Sequence, residues 1–371
     1  MSNLADLLRA PGAAVEATDD WEAVNELVRE RGWGDGLPVV PPTAERVEKM
    51  LAWCDRPWHE PLARIPPRYG EATPLRLAAN AVMAGCQPRY FPVILAAIEA
   101  LCEEPFNLYG IQATTHQVAP LLVVNGPIAK ELDINGGHNA FGPGRQANAT
   151  IGRAIRFALV NIGGAIPTLG DMSTFGSPGK YTYCIAENED ASPWEPLHVE
   201  RGLPREASAV TVIGCEGPHN VNDHESLTAE GVLTMIAGTV AITGANDVWY
   251  EAEPAVLFGP EHARTVAEGG YSKADVRKFL FEHARLPMGK FSKENIERRF
   301  RVKFDGRYAS AGLDTLVPMA QRAEDFLILV AGGAGKHSAF LPTFGATRSV
   351  TRALRRRDGG FAASVEELRA T

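Results

Sequence analysis

Blocks of apolar residues separated by polar, Gly-rich and Pro-rich stretches run along the whole chain. Apolar runs of five to seven residues, rich in Val and Ile, occur in "SAVTVIGCEG" (208–217) and "DFLILVAGGAGKHS" (325–338). Because these runs do not alternate with polar residues, they predict short strands that are covered on both faces. Other stretches repeat their apolar residues at helical spacing, as from Asp20 in "DWEAVNELVRERGWGDG", and predict amphipathic helices. The pattern therefore predicts an α/β fold.

Two distant stretches of the chain follow the same order of elements. "APLLVVNGPIAKELDINGG" (119–137) and "EPAVLFGPEHARTVAEGG" (253–270) each predict an apolar strand, a Gly-Pro turn, a short helix and Gly-Gly. In each, Gly-Pro precedes Gly-Gly by ten residues, and a long apolar helix is predicted before the strand. This pattern predicts two related α/β halves that arose by internal duplication. The alternative is coincidence, since strand-Gly-helix is a common local pattern in α/β proteins.

The segment "NEDASPWEPLHVERGLPRE" has the Pro and charge content of an extended connection and predicts a boundary between the halves. A duplicated chain of this kind is expected to place its site between the two halves. The predicted segments are a flexible N-terminal arm at 1–20, a helix and extended segment at 21–44, a first half at 45–205, a second half at 206–355 and a C-terminal tail at 356–371.

Composition and charge narrow the class of protein. The chain has 371 residues, of which 45% are hydrophobic and 22% charged, values typical of a folded globular protein. A net charge of -8 without a basic stripe argues against a nucleic-acid or anionic-membrane partner. No run reaches 18 apolar residues, and the first 20 residues carry acids where a signal peptide is basic, so a cytoplasmic protein is expected. A homodimer is the default expectation for the oligomeric state.

Cysteine usage points away from a disulfide scaffold. The five cysteines are odd in number, widely spaced and contain no C-x-x-C pair. Each thiol therefore has to be judged by its own surroundings.

The stretch "TVIGCEGPHNVNDH" (211–224) places reactive side chains directly after a predicted strand. Cys215 could be a thiolate nucleophile whose pKa is lowered by an imidazolium or by a helix N-terminus. Alternatively, Cys215, His219 and His224 could bind a divalent metal such as zinc or iron, with Glu216 as a base, although the spacing matches no standard zinc signature. A buried structural cysteine with surface histidines is the third interpretation.

Two Gly-rich stretches predict contacts to an anion. "NGGHNAFGPGRQANATIGRAIRFALVNIGG" (135–164) leads into a helix whose free backbone N–H groups could bind a carboxylate or phosphate. It is neither a P-loop nor a dinucleotide fingerprint, so no nucleotide cofactor is predicted. "GGAGKHSAF" (332–340) follows a strand and favours anion contact over catalysis. Plain turns are the alternative in both places. The candidate substrate-binding residues are His138, Asn139, Gly142, Gly144, Arg145, Lys336 and His337.

Several long stretches resemble the bacterial UGSC-type (seleno)protein family. They are "INGGHNAFGPGRQANATIGRAIR", "DMSTFGSPGKYTYCIAENEDASPWEPLHVERG", "GPEHARTVAEGGYSKADVRKFLFEHAR" and "VAGGAGKHSAF", and the likeness covers roughly residues 30–350. That family is named for a Gly-Ser-Cys segment with cysteine or selenocysteine. The nearest counterpart here is Gly214-Cys215-Glu216-Gly217, which has no resolving second thiol. The resemblance implies an enzyme, and the departure puts dithiol redox chemistry in doubt.

The residues and the resemblance together predict an enzyme that acts on a small anionic organic molecule by lyase, hydratase or hydrolase chemistry. In this interpretation Cys215 is the nucleophile or a metal ligand, and Glu216 or His219 moves the proton. Arg145, Lys336 and the backbone of Gly142–Gly144 would hold the negative group of the substrate. Two alternatives stay open: a thiol-based oxidoreductase that pairs Cys215 with Cys184, and a non-catalytic protein that binds an anion in the same loops.

Overall fold

The chain folds into two compact units. The computed structural model describes residues 14–18 and 20–370, so the predicted arm at 1–20 lies mostly outside the described residues. The first unit contains the described residues up to Asn188, Pro196–Cys215 and the described residues from Arg348 onward. The second unit contains Glu189–Glu195 and Glu216–Thr347.

Both units combine helices with short strands, as an α/β fold requires. The helices of the first unit are α1 (Trp21–Glu30), α2 (Ala44–Leu51), α3 (Pro74–Ala84), α4 (Phe91–Leu101), α5 (Leu108–Ala113), α6 (Pro127–Glu131), α7 (Gln146–Asn161) and α8 (Leu197–Glu200). Those of the second are α9 (Ala229–Val240), α10 (Pro260–Glu268), α11 (Lys273–His283) and α12 (Lys293–Asn295). The strands of the first unit are β1 (Ala63–Ile65), β2 (Gly70–Ala72), β3 (Ala119–Asn125), β4 (Cys184–Ala186), β5 (Ala209–Cys215) and β12 (Val350–Ala353). Those of the second are β6 (His219–Asn222), β7 (Ala255–Phe258), β8 (Arg285–Pro287), β9 (Leu316–Pro318), β10 (Leu327–Val330) and β11 (His337–Leu341).

Side-chain caps fix where several helices begin. The side chain of Asp20 accepts a hydrogen bond from the backbone N–H of Ala23 at the start of α1. Thr43 caps α2 in the same way, by accepting from the backbone N–H of Arg46. Helix α9 begins at Ala229, where the Thr228 side chain caps it by accepting a hydrogen bond from Gly231 N.

The sheet of the first unit has the strand order β12-β5-β3-β4. Strand β3 is parallel to β4 and antiparallel to β5, with Ala119 opposite Cys215 and Asn125 opposite Ala209. All seven residues of β5 are buried, so the prediction of strands covered on both faces is confirmed here. Helix α4, which is buried at every position except Glu99, packs against β5 and β12.

The sheet of the second unit has the strand order β10-β7-β11-β6. Strand β7 is parallel to β10 and antiparallel to β11, and β11 is antiparallel to β6. Helix α9 packs against β11 and β6. In the first sheet β4 is parallel to β3, β3 is antiparallel to β5, and β5 is antiparallel to β12. Both sheets therefore consist of one parallel pair followed by two antiparallel pairs. The two sheets thus share their strand directions, and an internal duplication stays a prediction.

The glycine of each Gly-Pro turn lies against the backbone of a neighbouring segment. A Cβ atom on Gly126, where φ is +85°, would lie 2.3 Å from the carbonyl oxygen of Ala207. A Cβ atom on Gly259 would lie 2.1 Å from the carbonyl oxygen of His337. Both positions therefore require glycine so that the adjacent strand can approach closely.

The predicted boundary between residues 205 and 206 is at the wrong place. Strand β5 pairs with β3 along its full length, and β12 returns to pair with β5, so both belong to the first unit. Of the predicted connection, only Glu189–Glu195 falls in the second unit. None of the described helices has the length and apolar character needed to cross a membrane.

Candidate functional site

Two histidines meet at the edge of the second unit's sheet. Strand β6 pairs with β11 so that Asn222 lies opposite His337, and His224 follows two residues after the end of β6. The Nε2 atoms of His224 and His337 are 3.4 Å apart, and their rings meet edge to face with centroids separated by 5.0 Å. Both side chains are exposed, so a small molecule can reach them. We call His224 and His337 the histidine pair.

A neighbouring amide sets the proton positions of the pair. The Nδ1 atom of His337 lies 3.0 Å from Oδ1 of Asn220, an oxygen that can only accept. In the neutral ring the proton is therefore on Nδ1, and Nε2 of His337 is an acceptor that faces His224. His224 in turn presents its Nε2–H to that acceptor. The pair thus combines one basic nitrogen and one proton donor in the same place.

Lys336 adds a positive charge beside the pair. Its Nζ donates a hydrogen bond of 2.9 Å to the backbone carbonyl of His224, which uses one of the three N–H bonds of the ammonium group. Lys336 itself has a φ of +48°, in the left-handed region. The tip of this turn therefore carries a cation with donors that remain available for a ligand.

The backbone N–H groups of the same turn already hold an anion from within the chain. The carboxylate of Glu261, at the start of α10, accepts hydrogen bonds from the backbone N–H of Gly335 and, at 2.7 Å, from that of Lys336. These two hydrogen bonds, from Gly335 first, hold the pKa of Glu261 below its ordinary value. This contact gives Glu261 a structural role. A ligand at this turn has to bind through the Lys336 side chain.

A buried histidine holds the segments around the pair in register. His262 is 2% exposed, and its Nε2 lies 2.9 Å from the carbonyl oxygen of Asp223. Because that oxygen can only accept, Nε2 carries the proton and Nδ1 accepts from the hydroxyl of Ser338, at 2.8 Å. The Ser338 hydroxyl also accepts from Gly259 N at 3.3 Å. Both ring nitrogens of His262 are thus engaged, which makes it a positioning residue.

Replacing Ser338 with Ala should lower the free energy of unfolding by about 2 kcal/mol, because His262 Nδ1 and Gly259 N–H would stay buried without a partner. The exposed variant Thr234→Ala is the control, with an expected change below about 0.5 kcal/mol. Urea denaturation of the three proteins measures both changes. Equal stability of Ser338→Ala and the wild-type protein would contradict the proposed hydrogen-bond network.

The loop after β6 also contains a buried acid. Asp223 is 7% exposed, and its Oδ1 accepts from the backbone N–H groups of Glu225 and Ser226. Burial raises the pKa of this carboxyl, but the hydrogen bonds from Ser226 and Glu225 outweigh it, so the pKa is lowered overall. Its Oδ2 atom is buried and has no hydrogen-bond partner among the described residues.

The predicted nucleophile lies in the interior of the first unit. Cys215 is the last residue of β5 and is 0% exposed, with Sγ 3.8 Å from the hydroxyl oxygen of Tyr183. It is opposite Ala119 on β3, and none of the five cysteines forms a disulfide. Since a reactive thiolate needs a polar and partly exposed environment, the burial of Cys215 argues against its predicted role. Cys184, its predicted redox partner, is also buried, and burial raises the pKa of its thiol well above the ordinary value.

The other residues of that motif lie in the second unit. Glu216 is half-buried and its backbone N–H donates to the carbonyl of Pro342 at 2.8 Å, while His219 is exposed at the start of β6. The predicted metal ligands Cys215, His219 and His224 are therefore divided between the two units. Among residues 14–18 and 20–370, no group of three or more His, Cys, Asp or Glu side chains could hold a metal ion.

The predicted anion loop of the first unit closes on itself. The side chain of Asn139 donates to the carbonyl of Pro143, and the backbone of His138 accepts from the side chain of Asn135. The Nη1 atom of Arg145 is 2.9 Å from an Oδ atom of Asp133. Gly142 is half-buried, whereas His138, Asn139, Gly144 and Arg145 are exposed. The structure thus leaves the predicted binding role of this loop as a prediction.

Sequence reasoning missed two residues beside the histidine pair, Asn220 and Ser338. It also missed a buried acid elsewhere in the second unit, Asp247. Asp247 is 1% exposed and accepts hydrogen bonds from the backbone N–H and the hydroxyl of Thr343. Burial raises its pKa to about 7, and the charge of Glu216 adds to the shift. Asn220 lies two residues before Asn222, which is opposite His337, so the alternation in "HNVN" places its side chain on the same face of the sheet as that of His337.

Comparison of the chain with protein-family models, curated proteins and solved structures gives no match. The resemblance to the UGSC-type family is therefore untested and stays a prediction.

Proposed function

We propose that this protein is an enzyme that acts on a small anionic organic molecule by lyase, hydratase or hydrolase chemistry at the histidine pair. The observation that carries the proposal is the exposed contact between Nε2 of His224 and Nε2 of His337, 3.4 Å apart. One nitrogen accepts and the other donates, because Asn220 fixes the tautomer of His337. This proposal replaces Cys215 with the histidine pair as the reactive centre.

The pair has the two functions that elimination, addition and hydrolysis need. His337 Nε2 would remove a proton from the substrate or from water, and His224 Nε2–H would supply one to the leaving group. The ammonium group of Lys336 would hold the negative group of the substrate with the N–H bonds that His224 O does not use. The hydrogen bonds of His262, Ser338 and Glu261 would keep both strands and the turn in position.

A library of hydroxy, unsaturated and ester carboxylates in D2O tests the proposal by ¹H NMR, because both proton exchange and turnover change the spectra. We expect His337→Gln and His224→Gln each to lower the rate by about 100-fold, at the lower end of what a general acid or base contributes. His219→Gln is the matched control, since His219 lies exposed on β6 and is no member of the pair. Full activity of both variants, or no conversion of any compound by the wild-type protein, would contradict the proposal.

The same distance favours a second candidate, a metal-assisted hydrolase. Two nitrogen ligands of a tetrahedral zinc ion, each about 2.0–2.1 Å from the metal, are about 3.3–3.4 Å apart. The histidine pair has that spacing and would supply two ligands to zinc or iron. A catalytic zinc site has three protein ligands, and no third His, Cys, Asp or Glu side chain joins the pair among the described residues. Elemental analysis of protein purified without chelator decides between the candidates. One zinc or iron per wild-type chain that is lost in His337→Gln would favour the metal.

A non-catalytic anion-binding protein is the remaining alternative. It predicts that a carboxylate raises the melting temperature without any product. A homodimer and a cytoplasmic location stay predictions of the sequence.

A further inference from the structure

A cavity in the first unit carries charged groups that the proposed function does not use. Its volume is about 710 Å³ and it lies beside α7 and the loop at 166–181. A cavity of this size is in the range of small-molecule sites. Its wall includes Arg156, Lys180 and Asp171, together with the Ser177 side chain.

The buried charges at this cavity do not balance. The Nζ atom of Lys180 is 2.7 Å from both carboxylate oxygens of Asp171, and Nη2 of Arg156 is 3.0 Å from Oδ2 of the same group. Two cations therefore share one carboxylate, while the side chains are only 12%, 12% and 5% exposed for Arg156, Lys180 and Asp171. Asp35, the other acid in the wall, is bound by Arg153 through contacts of 2.7 and 2.8 Å. Among the residues that the structure describes, the cluster thus has one excess positive charge, in a place where an unpaired charge is costly.

The same groups have hydrogen-bond donors to spare. An ammonium group has three N–H bonds, and Lys180 directs two of them to Asp171. Arg156 uses one of its five for Asp171. The Ser177 hydroxyl oxygen is buried and has no hydrogen-bond partner among the described residues. Burial also lowers the pKa of Lys180, against the opposing effect of Asp171. An anion in the cavity would supply both the missing charge and the missing acceptors.

The rest of the wall is apolar. Phe157, Val160 and Ile166 line the cavity, and Met172 and Phe175 lie in the loop that borders it. Phe175 is 90% exposed and Met172 is 49% exposed, so neither side chain is covered by its own unit. A ligand with an apolar body could contact these side chains.

We propose that this cavity binds an organic monocarboxylate, with its carboxylate held by Arg156, Lys180 and Ser177 and its apolar body against Phe157 and Phe175. A single negative charge matches the single excess positive charge of the cluster. The proposal goes beyond the proposed function, because the cavity and the histidine pair belong to different units and share no residue.

Calorimetric titration of the full chain with benzoate and with hexanoate tests the proposal, with acetate, benzamide and inorganic phosphate as comparison ligands. We expect at least one of the two carboxylates with an apolar body to bind at least about ten-fold more tightly than acetate, benzamide or phosphate. Lys180→Met should weaken that binding by at least about ten-fold, because a charge-assisted hydrogen bond is lost. Phe175→Ala, a change at an exposed side chain that does not threaten folding, should weaken it by about three-fold.

Matched variants separate this site from the other anion-binding regions. Arg145→Gln removes the exposed arginine of the Gly-rich loop and should leave the affinity for benzoate unchanged. His224→Gln and His337→Gln should also bind benzoate like the wild-type protein, so the proposed function can fail while this result stands. Absence of carboxylate binding, equal binding of benzamide, tighter binding of phosphate, or undiminished binding by both Lys180→Met and Phe175→Ala would overturn the proposal.

Discussion

Raising the pH from 5 to 8 should destabilise the wild-type protein by about 3 kcal/mol more than its Asp247→Asn variant. Burial raises the pKa of Asp247 from 3.8 to about 7, so the folded state holds this proton more tightly than the unfolded chain does. The resulting stability is fully present below the unfolded pKa and is lost as the pH rises through the folded pKa. The whole shift of about three pKa units corresponds to about 4 kcal/mol, most of which falls between pH 5 and 8.

Urea denaturation at both pH values gives the four free energies of unfolding that this comparison needs. Asp314→Asn, a change at an exposed acid of the same unit, should retain the wild-type pH dependence. Asp247→Asn keeps an oxygen that can accept from Thr343, so the variant is expected to fold. If its stability changed with pH as strongly as that of the wild-type protein, the buried carboxyl would not be the group responsible.

The fold class could be predicted because its signals are local. The apolar runs of β5 and β10 have to be buried on both faces whatever elements lie next to them. Asp20 and Thr43 each cap a helix by accepting a hydrogen bond from the backbone N–H of the residue three positions later in the sequence. The boundary between the units could not be predicted. It depends on the pairing of β12 with β5, in which Val350 lies opposite Val212, and no local pattern specifies a contact between residues so far apart in the chain.

The same distinction explains what could be predicted of the candidate site. His224 and His337 were each recognised as chemically capable, in two motifs more than a hundred residues apart. Their contact follows from the register in which β6 pairs with β11. Strand β6 is short and mostly polar, so its sequence does not predict this pairing. The sequence predicts that Cys215 lies where a strand ends, with a reactive thiol. The register that places it opposite Ala119 buries it instead.

The side chains that close the anion loop show a third reason. Arg145 and Asp133 are twelve residues apart in the sequence and form an ion pair. The sequence predicts that Arg145 binds a substrate, but it does not predict this contact with Asp133. Arg156 and Lys180, which line the cavity, come from two stretches of the chain that are 24 residues apart, and neither stretch predicts that the two cations share one carboxylate. The charge balance of this cluster depends on the fold, because only the folded chain brings Asp171 into contact with both Arg156 and Lys180.

Replacing Asp171 with Ala should lower the free energy of unfolding by about 4 kcal/mol, because removal of one partner from a buried ion cluster leaves uncompensated charge. Both Arg156 and Lys180 would lose the only carboxylate that they contact among the described residues. Lys180→Met should cost much less, since Asp171 keeps its contact with Arg156 and the excess positive charge disappears. Asp133→Asn, which removes the negative charge of the exposed pair with Arg145 and keeps a residue type that tolerates the φ of +55° at this position, should leave the stability unchanged within error.

Urea denaturation of the three variants measures how much each change lowers the free energy of unfolding. The same measurement in the presence of benzoate tests whether the ligand restores stability. If the excess charge of the cluster is the source of the cost, Asp171→Ala should regain part of its stability in saturating benzoate, because the carboxylate of the ligand would stand in for the lost side chain. Benzamide, which has the same shape without the charge, should restore nothing. A loss for Asp171→Ala no larger than that for Asp133→Asn would mean that solvent already screens the two cations. The cluster would then hold no uncompensated charge for a carboxylate ligand to neutralise.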